Sequence, residues 1–328
     1  MPARVTAVQP AWAIEGGRIT LEGQAFPVDG EHLPEVFLGA ARARIVHASS
    51  TRLGVLVPGG LDGGVTSVVV AGAPAASVHV GAPLATGLHM VDNPVFDREG
   101  NLYVTYSGTR GQQVPVSIFR VRPSGTRETF SSGIVNPTSL ALDPEGRLYA
   151  SSRFEGTVYR VEPDGSVQPF ATDLGVACGL AFTPDGTLYV GDRTGTIFRV
   201  DRHGHASTFA SLPSSVAAFH LALGPDGSVF VSGPTLSPYD TVHRIDPDGV
   251  VSPLYTGFGR PQGLAFDPSG TLFVIEALAG ASGLYRVPLH GSPELVLSGP
   301  GLVGVAFDPR GGVVVCSDDT AFRLPPTR

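Results

Sequence analysis

The chain contains no lysine, so all 22 of its basic residues are arginines. That removes a Schiff-base lysine and a P-loop lysine from any mechanism. Cysteine is almost missing too. Cys178 and Cys316 are the only two, and the repeat register described below sets them on opposite sides of a ring, too far apart to bridge. No stretch approaches the ~18 apolar residues of a membrane-spanning helix, and Met1-Pro-Ala-Arg-Val-Thr6 lacks the apolar run of a secretory signal. The expected location is therefore the cytoplasm, or outside the cell if the N-terminus is truncated. Gly-x-Ser-x-Gly and His-Glu-x-x-His motifs are missing. The net charge of -7 argues against nucleic acid or an anionic membrane as partner. Trp12 is the one tryptophan and is expected in the core of the N-terminal segment.

What the sequence has in abundance is glycine (43) and proline (29), set among regularly recurring apolar residues. This is the composition of a turn-rich β protein. The tetrads Asp97-Arg-Glu-Gly100, Asp143-Pro-Glu-Gly146, Thr183-Pro-Asp-Gly186, Gly224-Pro-Asp-Gly227, Asp267-Pro-Ser-Gly270 and Asp308-Pro-Arg-Gly311 share one form. Their glycines are 46, 40, 41, 43 and 41 residues apart. Six copies at this spacing match the blade length of a β-propeller. Within a repeat, an inner strand (Gly179-Leu-Ala-Phe182) meets the tetrad turn, then come Leu188-Tyr-Val190, Thr196–Val200 and an outer strand at Ser207-Thr-Phe209. The sixth repeat has only three strands, and its fourth is supplied by Pro83–Leu88, which reads like the outer strands Pro169–Leu174 and Pro253–Phe258. Residues 1–81 lack the period and show short alternating runs, the pattern of a small β-sandwich. The expected fold is all-β: a sandwich at 1–81 and, at 82–328, a six-bladed propeller closed by its own first strand.

Two resemblances accompany this reading. The order Val8-Gln-Pro10, Glu15-Gly-Gly17, Leu21–Phe26, Val36–Gly39, Val57-Pro-Gly59 and Gly63-Gly-Val-Thr66 resembles the IPT/TIG family of immunoglobulin-like modules, which implies a spacer or interaction role. The Gly-Leu-Ala-Phe, Asp-Pro-x-Gly and Leu-Tyr-Val elements resemble NHL and SMP-30/gluconolactonase-like propellers. The second resemblance implies a lactonase that holds one divalent cation (Ca, Mn or Zn) in the central channel. Asp92, in Asp92-Asn-Pro-Val-Phe96, would be its one carboxylate ligand. The starts of the later inner strands depart from that pattern, reading Thr138, Cys178, Phe219, Gln262 and Val303.

The working face is expected where connections vary in length. Arg153 and Arg193 occupy equivalent positions after the second strands of repeats two and three, with Asp192 beside them. Glu276, Asp318, Asp319 and Asp92 are expected opposite, and His220 and Gln262 at the inner-strand starts. This describes a mouth cationic on one side and acidic on the other, suited to a small polar or anionic ligand or to a protein. The alternative is that each arginine pairs with a local acid such as Asp192 or Glu155. His220 is the candidate general base. Asp201, His203 and His205 have metal-like spacing but fall in a turn on the other face. The functional expectation is a recognition protein that needs no cofactor, with lactone hydrolysis as the alternative.

Overall fold

The computed structural model describes residues 3–28, 30, 32–71, 73–88 and 93–324, and of residues 73–75 the backbone alone. Every regular element among the described residues is a β-strand. The tetrads are the turns they were expected to be, and the structure adds the reason for their first residue. In the first of them Asp97 accepts the amides of Glu99 (3.0 Å) and Asn101 (2.9 Å), while the Gly100 amide closes on the Asp97 carbonyl (3.1 Å). Asp143, Asp267 and Asp308 repeat that pattern. All six tetrad glycines have φ between 81° and 86°, a region that a Cβ disfavours.

Each turn joins an inner strand to a second strand. In repeat two the antiparallel set is Pro137–Leu142, Leu148–Ser152, Thr157–Val161 and Val167–Ala171. Five such four-stranded sheets stand as separate blades of a β-propeller. One of them is completed across the termini, where Ala82–Thr86 pairs antiparallel with Thr320–Leu324. The expectation of six separate blades is corrected at repeat five. Its strands Pro261–Phe266, Leu272–Glu276, Gly283–Val287 and Glu294–Ser298 belong to a twelve-stranded sheet that also holds the N-terminal strands. The inner strands Val95–Phe96, Pro137–Leu142, Ala177–Phe182, His220–Leu223, Pro261–Phe266 and Gly304–Phe307 touch one another in a closed cycle and line one central cavity. Apolar clusters fill the spaces between neighbouring repeats. There the Leu-Tyr-Val tyrosines meet phenylalanines, Tyr103 edge-on to Phe130 (5.0 Å between centroids) and Tyr189 tilted against Phe209 (4.7 Å).

The N-terminal strands enclose a cluster of their own, from Val5, Ile19 and Leu21 to Val78 and Val80. Their junction with repeat five is a short strand, Trp12–Ala13, which runs parallel to Ala73–Val80 on one side and Glu294–Ser298 on the other. Ile14 then leaves the N-terminal strands and enters the cluster of Phe273, Ile275, Leu297 and Leu324. Its amide bonds the Ser298 carbonyl at 3.0 Å, and the Ser298 hydroxyl accepts the Arg18 amide at 2.8 Å. The backbone passes so close that a Cβ on Gly17 would lie 2.3 Å from the Ser298 carbonyl oxygen. Trp12 is not in the N-terminal core as expected. It is half-buried against the Ile14 cluster, edge-on to His79 (6.3 Å), because the residues around it form this bridging strand.

Candidate functional site

A cavity of about 480 Å³ opens at the end of the ring that carries the variable connections. The second strands of repeats two and three deliver Arg153 and Arg193 to it, immediately after Ser152 and Asp192. The connection entering Pro261–Phe266 delivers Arg260, and that strand's start delivers Gln262. Asp318, Thr138 and Cys178 add polar atoms, and Val176, Val216, Leu302 and Val303 supply apolar wall. Buried serines position the floor by bonding across to the next inner strand: Ser151 to the Cys178 carbonyl (2.6 Å) and Ser232 to the Gln262 carbonyl (2.5 Å).

The structure therefore brings Arg153, Arg193, Gln262 and Asp318 together, and it adds Arg260, which sequence reasoning missed. Arg260 falls on the side expected to be acidic, so the mouth is not divided by charge as anticipated. Among the described residues the guanidiniums of Arg153, Arg193 and Arg260 form no ion pair and no side-chain hydrogen bond. The acids offered as local partners are occupied elsewhere. Glu155 accepts the Tyr159 hydroxyl at 3.0 Å.

Asp192 and Glu276 do not line the cavity. Asp192 is buried, and its carboxylate accepts the amides of Val176 (2.8 Å) and Thr194 (3.2 Å) and the Thr194 hydroxyl. Glu276 accepts three amides, from Gly259 (2.6 Å), Arg260 (2.9 Å) and Leu278 (2.6 Å). Both carboxylates sit where a second strand ends and the connection into the inner strand passes overhead, so backbone donors claim them first. Asn136 does comparable work for the long loop of repeat one, bonding Ser107, Gly108, Thr109 and Gly111.

His220 also lies outside the cavity lining. It is buried at the start of its inner strand, with Nδ1 3.2 Å from Asn93 Oδ1. Asp92 lies outside the described residues. Among those described, no group of three His, Cys, Asp or Glu side chains could hold a metal ion, and the inner-strand starts contribute one hydroxyl, one thiol, one imidazole and the amides of Asn93 and Gln262, with no carboxylate. These residues do not suit a hard cation, which takes 6–8 oxygen ligands when it is calcium. On the opposite face Asp201 is a turn residue. The backbone amides of His205 (3.0 Å) and His203 (2.8 Å) hold its carboxyl down at about 2.

The two thiols differ in setting. Cys178 reaches the cavity and bonds the Val176 carbonyl at 3.2 Å. Cys316 lies in the cluster of Leu102, Val104 and Ala321, where burial pushes its thiol up to about 12. Unfolded, that thiol ionises from about pH 9. The stability gained by keeping it neutral is therefore full below pH 9 and falls away as pH rises toward 12. A disulfide thiol reagent at pH 8 is expected to leave Cys316 unmodified until denaturant is added. Prompt modification of Cys316 in the folded protein would contradict that placement.

By sequence, the chain matches no described family and no curated protein. By structure, it resembles an auxiliary nutrient-binding protein from Bacteroides thetaiotaomicron at 14% identity, with 99% of this chain and 98% of that one covered and a TM-score of 0.58. A proposed gluconolactonase aligns at 19% identity over 74% of this chain and 90% of that one, with a TM-score of 0.59. A proposed oxidoreductase (glucose dehydrogenase) from Thermus thermophilus aligns at 23% identity over 74% and 98%, with a TM-score of 0.57. At these identities the likeness extends to the fold, and what the chain shares with gluconolactonase-like SMP-30 proteins is an all-β propeller.

Proposed function

We propose that this protein is a non-catalytic recognition protein whose propeller mouth binds an anionic group of a small polar ligand or protein. The observation that carries the reading is the convergence of Arg153, Arg193 and Arg260 on one cavity, none of them in an ion pair among the described residues. Guanidiniums in a partly apolar recess are strong donors to carboxylate or phosphate. On this reading the strands of repeat five are a sixth blade, supported by the closed cycle of inner strands. Residues 1–81 are then a separate immunoglobulin-like module, supported by their own apolar cluster, and they serve to position the ring or to widen its contact surface. Lactone hydrolysis, the alternative, calls for a metal site, and among the described residues no group of three His, Cys, Asp or Glu side chains could form one.

Calorimetric titration with hexanoate and with inorganic phosphate tests the reading. Replacing Arg153 and Arg193 together by alanine is expected to weaken anion binding by about tenfold or more, each lost charged hydrogen bond being worth about 1.5–3 kcal/mol. Equal binding by the parent and the double variant would remove the mouth as the site.

A further inference from the structure

Resting on the reading of the mouth as an anion site, we infer that its ligand is a dicarboxylate with an apolar middle, held at both ends. The charge balance comes first. Among the described residues, the charged side chains lining the cavity are three guanidiniums and one carboxylate, a formal charge of +2. A dianion neutralises that, and a monoanion does not.

Placement decides which dianion. Arg153 follows a strand of repeat two, and Arg260 enters the inner strand of repeat five. In the cycle of inner strands these two repeats are separated by two others in either direction, so the two arginines stand on opposite sides of the ring. Arg193, in repeat three, neighbours Arg153 and shares its side. The walls between the two cationic sides carry apolar side chains, Val216 in the connection to repeat four and Leu302 and Val303 in that to repeat six, beside Ser107 of repeat one and Asp318 of repeat six. A phosphate monoester concentrates both charges at one end and reaches only one cationic side. Two carboxylates joined by methylenes reach both, with the chain lying on the apolar walls. Asp318, set across from Arg193, disfavours a third anionic group there. The cavity volume falls in the range usual for small-molecule sites.

The test is a calorimetric series of α,ω-dicarboxylates from succinate to suberate, with hexanoate and inorganic phosphate as single-ended probes. Expected is an affinity that depends on chain length, with the best dicarboxylate about tenfold or more tighter than hexanoate and phosphate. Arg260→Gln should remove that advantage, bringing the best dicarboxylate down to the affinity of hexanoate, and its unfolding midpoint should match the parent because the side chain is exposed. Dicarboxylates that bind no better than hexanoate, or phosphate that equals the best of them, would overturn the two-ended ligand and leave the anion reading intact. No binding by any probe would overturn both.

Discussion

Glu276→Ala is expected to lower the free energy of unfolding by about 3–5 kcal/mol, one of the two largest single-residue effects anticipated in this chain. The carboxylate is 2% exposed and accepts three backbone amides in the connection that carries Arg260. A buried donor left without its acceptor costs about 1–3 kcal/mol, and water entering the vacated space recovers part of that. Glu276→Gln keeps one good acceptor oxygen and should lose about half as much. Urea unfolding at neutral pH measures both variants. A loss below about 1 kcal/mol for the alanine variant would mean that water replaces the carboxylate fully and that the connection does not depend on it.

The second large effect is placed at the junction. Ile14 is 1% exposed and belongs by sequence to the N-terminal strands but by packing to the ring. Ile14→Ala should cost about 2–5 kcal/mol, the usual range for emptying a buried isoleucine site. The qualitative outcome is more telling than the magnitude. With Trp12–Ala13 hydrogen-bonded on both flanks and Ile14 in the ring's cluster, the parent should melt as one cooperative unit. Ile14→Asp places a charge in that cluster and should split the calorimetric transition in two. If the parent already melts in two steps, the junction does not couple the N-terminal strands to the ring.

Most of the ring was legible in the sequence, because a propeller repeats its own punctuation. The Asp-Pro-x-Gly turns located the hairpins, and the missing last strand pointed back to Pro83–Leu88, where the structure pairs Ala82–Thr86 with Thr320–Leu324. The role of the tetrad's aspartate was not seen beforehand, since proline and glycine seemed sufficient to explain the turn. The site was half legible. Arg153 and Arg193 could be found because they are equivalent positions in adjacent repeats. Arg260 has no such twin, so register alone gave it no prominence, although its place two residues before Gln262 put it at the same mouth. Asp192 and Glu276 were misplaced for one shared reason. A carboxylate at a strand end looks the same in sequence whether it faces a ligand or the backbone of a passing loop, and the difference lies in which amides are short of an acceptor. The docking by Trp12–Ile14 left no periodic trace, since three residues are too few to show one.

The pairing of Ala82–Thr86 with Thr320–Leu324 also sets an order of events while the chain is being made. The N-terminal strands emerge early and carry enough apolar residues to collapse on their own cluster. The strand that follows must wait, unpaired, until the last repeat has left the ribosome. Trp12–Ala13 waits almost as long for Glu294–Ser298. Contacts this distant along the chain form slowly, and open strand edges invite pairing with the wrong neighbour. The interval between the first and last strands is thus when a nascent chain of this protein is most exposed to aggregation. A chaperone that shields strand edges would act there, before the ring has a mouth with which to bind anything.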